Sequence, residues 1–191
     1  MIFFPAMLNL KDRSVVVVGG GKIASFKIEK LLDFTKNITI ISPKIDSYTK
    51  EMIDKYNLVY IDREYKSGDI DGNFIVVVAV DDINIQKEIY TEANSKGILC
   101  NSVDSIEYCD FIFPSYMKKD DLIIAISTSG ASPSMAKYLR RFIESLIPNS
   151  IVSKLKELKS IRESLPKGKK RQELLDKKAK EFVDSLSDKM K

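Results

Sequence analysis

A chain of 191 residues with 44 % hydrophobic and 30 % charged residues has the size and make-up of one globular domain, or one domain with an appendage. No apolar run approaches the ~20 residues that span a bilayer. The opening Met1-Ile2-Phe3-Phe4-Pro5 is too short and lacks the basic flank of a secretory signal. Two cysteines, Cys100 and Cys109, suit reduced thiols in a cytoplasm, and the lack of histidine excludes imidazole ligands and Ser-His-Asp triads. Proton transfer is left to Asp, Glu, Lys, Tyr or Cys.

In chain order, four β-branched residues at 15–18 predict a buried parallel strand. The chain then breaks into Gly19-Gly20-Gly21-Lys22-Ile23-Ala24 as an amphipathic helix over 21–34 begins. In this Gly19-x-Gly21-x-x-Ala24 pattern Gly19 permits a tight turn, Gly21 lets a pyrophosphate approach, and Ala24 keeps helix and strand close. The helix start aims free N–H groups at the phosphates. Residues 37–41 predict a second strand, stopped by Pro43, and Asp46 is an N-cap for a helix to Tyr56. A short strand at 58–61 follows, then the most apolar run, 74–80, as a central strand. A helix over 83–96 leads to strands at 98–101 and 111–113. Strands alternating with helices predict an α/β fold, a doubly wound parallel sheet of Rossmann type with its ligand at the carboxyl ends of the strands.

Beyond Pro114 the pattern changes. Residues 122–127 read as a lone strand outside the main sheet. Ser132 as N-cap and Pro133 at the first position open a helix ended by Pro148. On it Met135, Tyr138, Leu139, Phe142, Ile143 and Leu146 form one apolar stripe, suited to core or to a second subunit. Further helices are expected near 150–165 and 168–188. The expected domains are 1–113 for the nucleotide, 114–148 as a strand-and-helix segment, to which the resemblance given below assigns dimerisation, and 149–191 as a basic helical region. That last stretch holds 13 Lys/Arg against 7 Asp/Glu, or +6 of a chain total of +4. It reads best as a solvated helix face, since no aromatic interleaving supports nucleic-acid binding.

Three loops should face the cleft. The first is Gly19–Ile23. The second, Val80-Asp81-Asp82, contacts a cofactor or caps the next helix, and both readings stand. In the third, Asn101-Ser102-Val103-Asp104, the Asp104 carboxylate either serves as acid or base beside a nicotinamide or caps a short turn. After the second strand the acidic ribose partner expected about 20 positions beyond the glycines is missing. Ser42, Pro43 and Lys44 stand there instead, which alone leans toward NADP or indifference. Ser127, Thr128 and Ser132 gather hydroxyls at a helix start, and Lys137, Arg140 and Arg141 follow on that helix. Together they either hold carboxylates of an acidic substrate or form a capped helix with a charged face.

Several segments together resemble a known family. They are Phe4-Pro5, Leu10 and Arg13 before the glycines, Lys27, Ala79-Val80-Asp81-Asp82, Asn101-x-Val103-Asp104, Cys109 to Pro114, and Ile126 to Pro133. In this order and spacing they resemble precorrin-2 dehydrogenase, the dehydrogenase and ferrochelatase module of siroheme synthase. The likeness is close over about 1–150 and loose in the tail. It implies oxidation of precorrin-2 to sirohydrochlorin with NAD, on the path to siroheme or cobalamin, by a homodimer, with iron insertion in some members. It implies catalysis by Asp104 and cofactor contacts at Lys22, Ile23, Pro43 and Lys44. Thr128 departs from the serine common in relatives. The methyltransferase domain of fused siroheme synthases has no counterpart in these 191 residues. The expected partners are thus the tetrapyrrole and a second copy, with no nucleic acid, membrane or protein-held metal. The rival class is a non-catalytic NAD-sensing Rossmann module.

Overall fold

The computed structural model describes residues 3–188. They form two compact units, one up to Ile112 and one from Phe113 onward.

The first unit is a parallel sheet covered by helices. Its strands are β1 (Val15–Val18), β2 (Ile38–Ile41), β3 (Val59–Ile61), β4 (Ile75–Val78) and β5 (Leu99–Ser102), in the order β3-β2-β1-β4-β5. Helices α1 (Lys22–Leu32), α2 (Ser47–Tyr56) and α3 (Ile83–Ser95) make the crossovers. All residues of β1 and β4 are buried, as continuous valine and isoleucine runs require when helices cover both faces. Val16, Val18, Val76, Val78, Ile70, Ile89 and Cys100 form one core cluster. Because β1 lies between β2 and β4, the chain reverses its direction of travel across the sheet there. The carboxyl ends of β1 and β4 are the position where such sheets bind ligands.

β5 lies at the end of the sheet, and its outer side is closed without a sixth strand. The Asp110 amide donates to the Cys100 carbonyl at 2.8 Å, and the Cys100 amide donates to Asp110 Oδ2 at 2.8 Å. Asn101 and Cys109 make a single antiparallel bridge. Residues 111–113 are accordingly not the strand the phenylalanines suggested. The Phe111 carbonyl is taken by the Asn101 side chain instead, at 2.9 Å.

In the second unit β6 (Ser115–Lys119) and β7 (Leu122–Ile126) pair as an antiparallel hairpin. β7 is thus not a lone strand. Its polar partner, Ser-Tyr-Met-Lys-Lys, gave no apolar run to notice. Asp120 turns the hairpin at φ +55°, in the left-handed region usually left to glycine or asparagine. Helix α4 (Pro133–Leu146) packs on both strands, and α5 (Ser150–Ser164) pairs with α6 (Lys169–Asp188). Lys156 and Lys159 reach Asp120 and Asp121 at 2.9 and 3.3 Å, and Lys178 and Lys154 share Glu157. Part of the basic charge of this region is therefore neutralised within the unit.

Candidate active site

At the end of β1 the three glycines do different work. Gly19 has φ +112°, and a Cβ there would meet the Ala79 carbonyl oxygen at 2.2 Å. It lets β1 and β4 stay adjacent as both chains leave the sheet. A Cβ on Gly20 would lie 2.5 Å from Ile45 Cγ2 and 2.6 Å from the Lys44 carbonyl. The Gly20 carbonyl accepts from the Asp46 amide at 2.9 Å, so the loop after β2 is held against the loop after β1. Gly21 is different. Nothing lies within 4 Å of its missing side chain.

Gly21 is also the N-cap of α1. No side chain caps that helix, and its first turn holds no acidic residue. The first amides of a helix have no partner within it and carry partial positive charge. An open, uncapped helix start bordered by bare backbone is what a pyrophosphate needs. By contrast α2 is capped by Asp46 and α3 by Asp82, whose Oδ1 accepts from Asn84 at 2.8 Å and Ile85 at 3.4 Å. Of the two readings of the Val80-Asp81-Asp82 loop, Asp82 takes the capping one. Val80 packs on the core and Asp81 is exposed.

After β2, Ser42 is buried and its hydroxyl donates to the Lys44 carbonyl at 2.6 Å. The Tyr60 hydroxyl donates to the Ser42 carbonyl at 3.0 Å. Ser42 thus shapes the turn, while Pro43 and Lys44 are exposed beside the glycines. No carboxylate ends β2.

The third loop is fastened from three sides. Val103 donates its amide to the Val78 carbonyl at 2.9 Å. Ser102 Oγ donates to Gln86 Oε1 at 2.9 Å, and Gln86 Nε2 donates to the Val80 carbonyl at 2.7 Å, tying the loops after β4 and β5 together. Asn101 is buried, with Nδ2 donating to Phe111 and its Oδ1 accepting from Lys27 Nζ at 3.3 Å. Asp104 follows at φ +61°, exposed, on the turn before the 3-10 segment Ile106–Tyr108. Asp120 shares this left-handed turn conformation, which aspartate adopts more readily than most residues.

Sequence reasoning passed over Lys27, Gln86 and Cys109 as site residues. A signal existed for Lys27. It falls on the α1 face that buries Ala24, Ile28 and Leu31, where a lysine has no packing reason to be. Burial and the neighbouring Lys30 pull it from 10.5 down to about 8, while Cys109 and Asp104 act in the opposite sense. The Cys109 thiol, packed against the Ser102 backbone, is pushed up by burial.

The remaining expected residues lie in the second unit. Ser132 Oγ accepts from the Met135 amide at 3.2 Å and caps α4; Thr128 Oγ1 accepts from the Ser132 amide at 3.0 Å; Ser127 Oγ accepts from Ser129 at 3.0 Å. These hydroxyl oxygens already accept bonds that build the turn. Arg140 pairs with Glu144, Arg141 stacks over the Tyr138 ring one turn back along α4, 5.9 Å from its centroid, and Lys137 is exposed.

Sheet order, glycine loop and uncapped helix start together define a Rossmann-type dinucleotide-binding domain. The comparisons agree. Residues 6–115 match the family described as "Putative NAD(P)-binding", and this chain belongs to it. Residues 119–146 match the sirohaem biosynthesis protein central family. Siroheme synthase 1 of Serratia proteamaculans is 32 % identical over 79 % of this chain, and siroheme synthase of Nitrosococcus oceani is 33 % identical over 78 %. The matched region is 32 % of each relative, so the chain spans about a third of their length. A solved structure, SirC, precorrin-2 dehydrogenase, superposes with a TM-score of 0.76 at 26 % identity, covering 97 % of this chain and 100 % of that one. Among the described residues no helix is long and apolar enough to cross a membrane.

Proposed function

We propose that this chain oxidises precorrin-2 to sirohydrochlorin with NAD⁺, as a homodimer in the cytoplasm. The observation that carries the reading is the likeness to SirC, which extends over essentially the whole of both chains. The uncapped start of α1, bare at Gly21, suits the cofactor pyrophosphate, with Lys22 and Ile23 beside it and Pro43 and Lys44 along the ribose. When bound, the nicotinamide supplies the two-electron acceptor.

The substrate loses two hydrogens, one as hydride to NAD⁺ and one as a proton. Asp104, as a carboxylate, takes the proton. Its exposed place beyond β5 leaves it open to a large substrate. Precorrin-2 carries eight carboxylates, and Lys137, Arg140 and Arg141 supply basic charge that favours its capture. Asn101 and Val103 frame the site through the bonds that hold the β5 end. The second copy is supported by α4, which buries Ala136 yet leaves Met135, Tyr138, Phe142, Leu139 and Leu146 exposed. Two buried free thiols fit a reducing compartment.

The test mixes the protein with NAD⁺ and anaerobically prepared precorrin-2 and follows NADH and sirohydrochlorin by absorbance. Equimolar appearance of both is expected. Binding of NAD⁺ without turnover would instead make the chain a nucleotide sensor. Asp104→Ala should keep NAD⁺ affinity and lose ~10²-fold or more in turnover, the usual contribution of a positioned acid or base.

A further inference from the structure

Lys27 sits on the second turn of α1, on the side that packs into the domain, and reaches across to β5. There its Nζ meets Asn101 Oδ1 at 3.3 Å. The other end of that amide is occupied as well, by the Phe111 carbonyl at 2.9 Å and Cys109 Sγ at 3.6 Å. Asn101 is therefore clamped between a helix and the segment that closes the sheet. Three residues later comes Asp104, at its left-handed turn.

We propose that Lys27 is a positioning residue of this site: its ammonium anchors Asn101, and through it the end of β5, so that the Asp104 carboxylate is presented in one place and beside a balancing charge. This rests on the role given to Asp104 under Proposed function.

Ionisable groups facing the ammonium include Lys30 on α1 and Cys109 and Asp104 on the segment after β5, with Asp110 acting on Cys109 in turn. β1, beneath the helix, offers valines alone. On the α2 side, Glu29 is bonded by the Tyr48 hydroxyl at 2.8 Å, with Glu51 nearby. Charging Lys27 is thus opposed by burial, and its pKa falls to about 8. A lysine kept for packing would be replaced by methionine with no loss of fit, because methionine fills the same space without an ammonium to desolvate. What the methionine lacks is the donor and the charge. The ammonium is present at neutral pH and is lost just above it, within the range where an enzyme's rate is readily measured.

The experiment compares wild type, Lys27→Arg and Lys27→Met in the full chain. In wild type, kcat for precorrin-2 oxidation should fall as pH rises through about 8. Lys27→Arg, which stays charged, should hold its rate level to higher pH. Lys27→Met should lose about tenfold or more in kcat with no such limb, while KM for NAD⁺ stays within about threefold. A Lys27→Met enzyme with the wild-type rate and limb would overturn the proposal. A second reading needs no substrate: the Asn101 side-chain amide resonance should titrate with a midpoint near 8 in wild type and stay flat in Lys27→Met. If wild type shows no turnover, the dehydrogenase reading falls and this resonance still decides the clamp. Its failure to move in wild type would sink the clamp alone. Should Lys27→Met not fold, the wild-type and Lys27→Arg titrations carry both readings.

Discussion

The two units satisfy their apolar residues in different ways. In the first, Val15–Val18 and Ile75–Val78 are wholly buried, and α1, α2 and α3 each turn a buried stripe toward the sheet. In the second, β7 is half-buried and α4 has its stripe in the open, with Phe142 60 % and Tyr138 63 % exposed. One unit carries its own core; the other displays apolar surface of the kind that marks an interaction site. A sheet buried on both faces is a firm base for a cofactor loop. A hairpin and helix with an uncovered face is suited to assembling with a copy of itself. The same contrast separates where substitutions should act on folding and where on association.

The largest effect is expected at Gly19. Gly19→Val places a branched side chain at φ +112° against the Ala79 carbonyl, and should cost on the order of 4 kcal/mol, read as a lowered denaturation midpoint with NAD⁺ binding lost. A mild effect there would mean that the first unit yields more easily than its burial implies. The Lys27 proton comes next. Its pKa of about 8 lies below its ordinary 10.5, so the unfolded chain binds more protons between these values. Stability should therefore rise with pH across that window, by roughly 3 kcal/mol at most. The rise is read as the difference between wild type and Lys27→Met, in which the contributions of Lys30 and Cys100 largely cancel. The opposite slope would show an ammonium that the fold prefers charged.

In the second unit Leu139→Glu puts a charge into the exposed stripe of α4. It should weaken dimerisation by about 2 kcal/mol, some thirtyfold, while leaving the first unit's melting and NAD⁺ affinity as they were. Light scattering across a dilution series measures it; an unchanged mass would make the stripe something other than a dimer face. Ser132→Ala, which removes the α4 cap, should cost about 1 kcal/mol in this unit, seen by hydrogen exchange of the first-turn amides.

What could be read from the residues follows the same division. β1 and β4 announced themselves because a strand covered on both faces must be apolar throughout. The glycine loop did so because a bare backbone has few other uses there. β6 escaped notice because a hairpin strand of Ser-Tyr-Met-Lys-Lys buries Met117 and needs little more, and because Asp120 does the turning that glycine normally signals. The 111–113 run misled for the opposite reason: phenylalanines were present, but the Asn101 side chain takes the hydrogen bond a ladder would need. Lys27 stood among the residues that carry the resemblance and on a buried helix face, yet its role stayed out of sight. A lysine is by default a surface residue, and its link to Asn101, 74 positions away, exists only after folding.

The pairing of Asp110 with Cys100 also decides how the margin of the sheet meets its surroundings. An unfinished sheet invites strands from other molecules, and here a carboxylate occupies the very amide such a strand would grasp, with a net charge placed on the margin. Removing that carboxylate would free one amide of the margin, while the Asp110 amide and the Asn101–Cys109 bridge would still cover its neighbours.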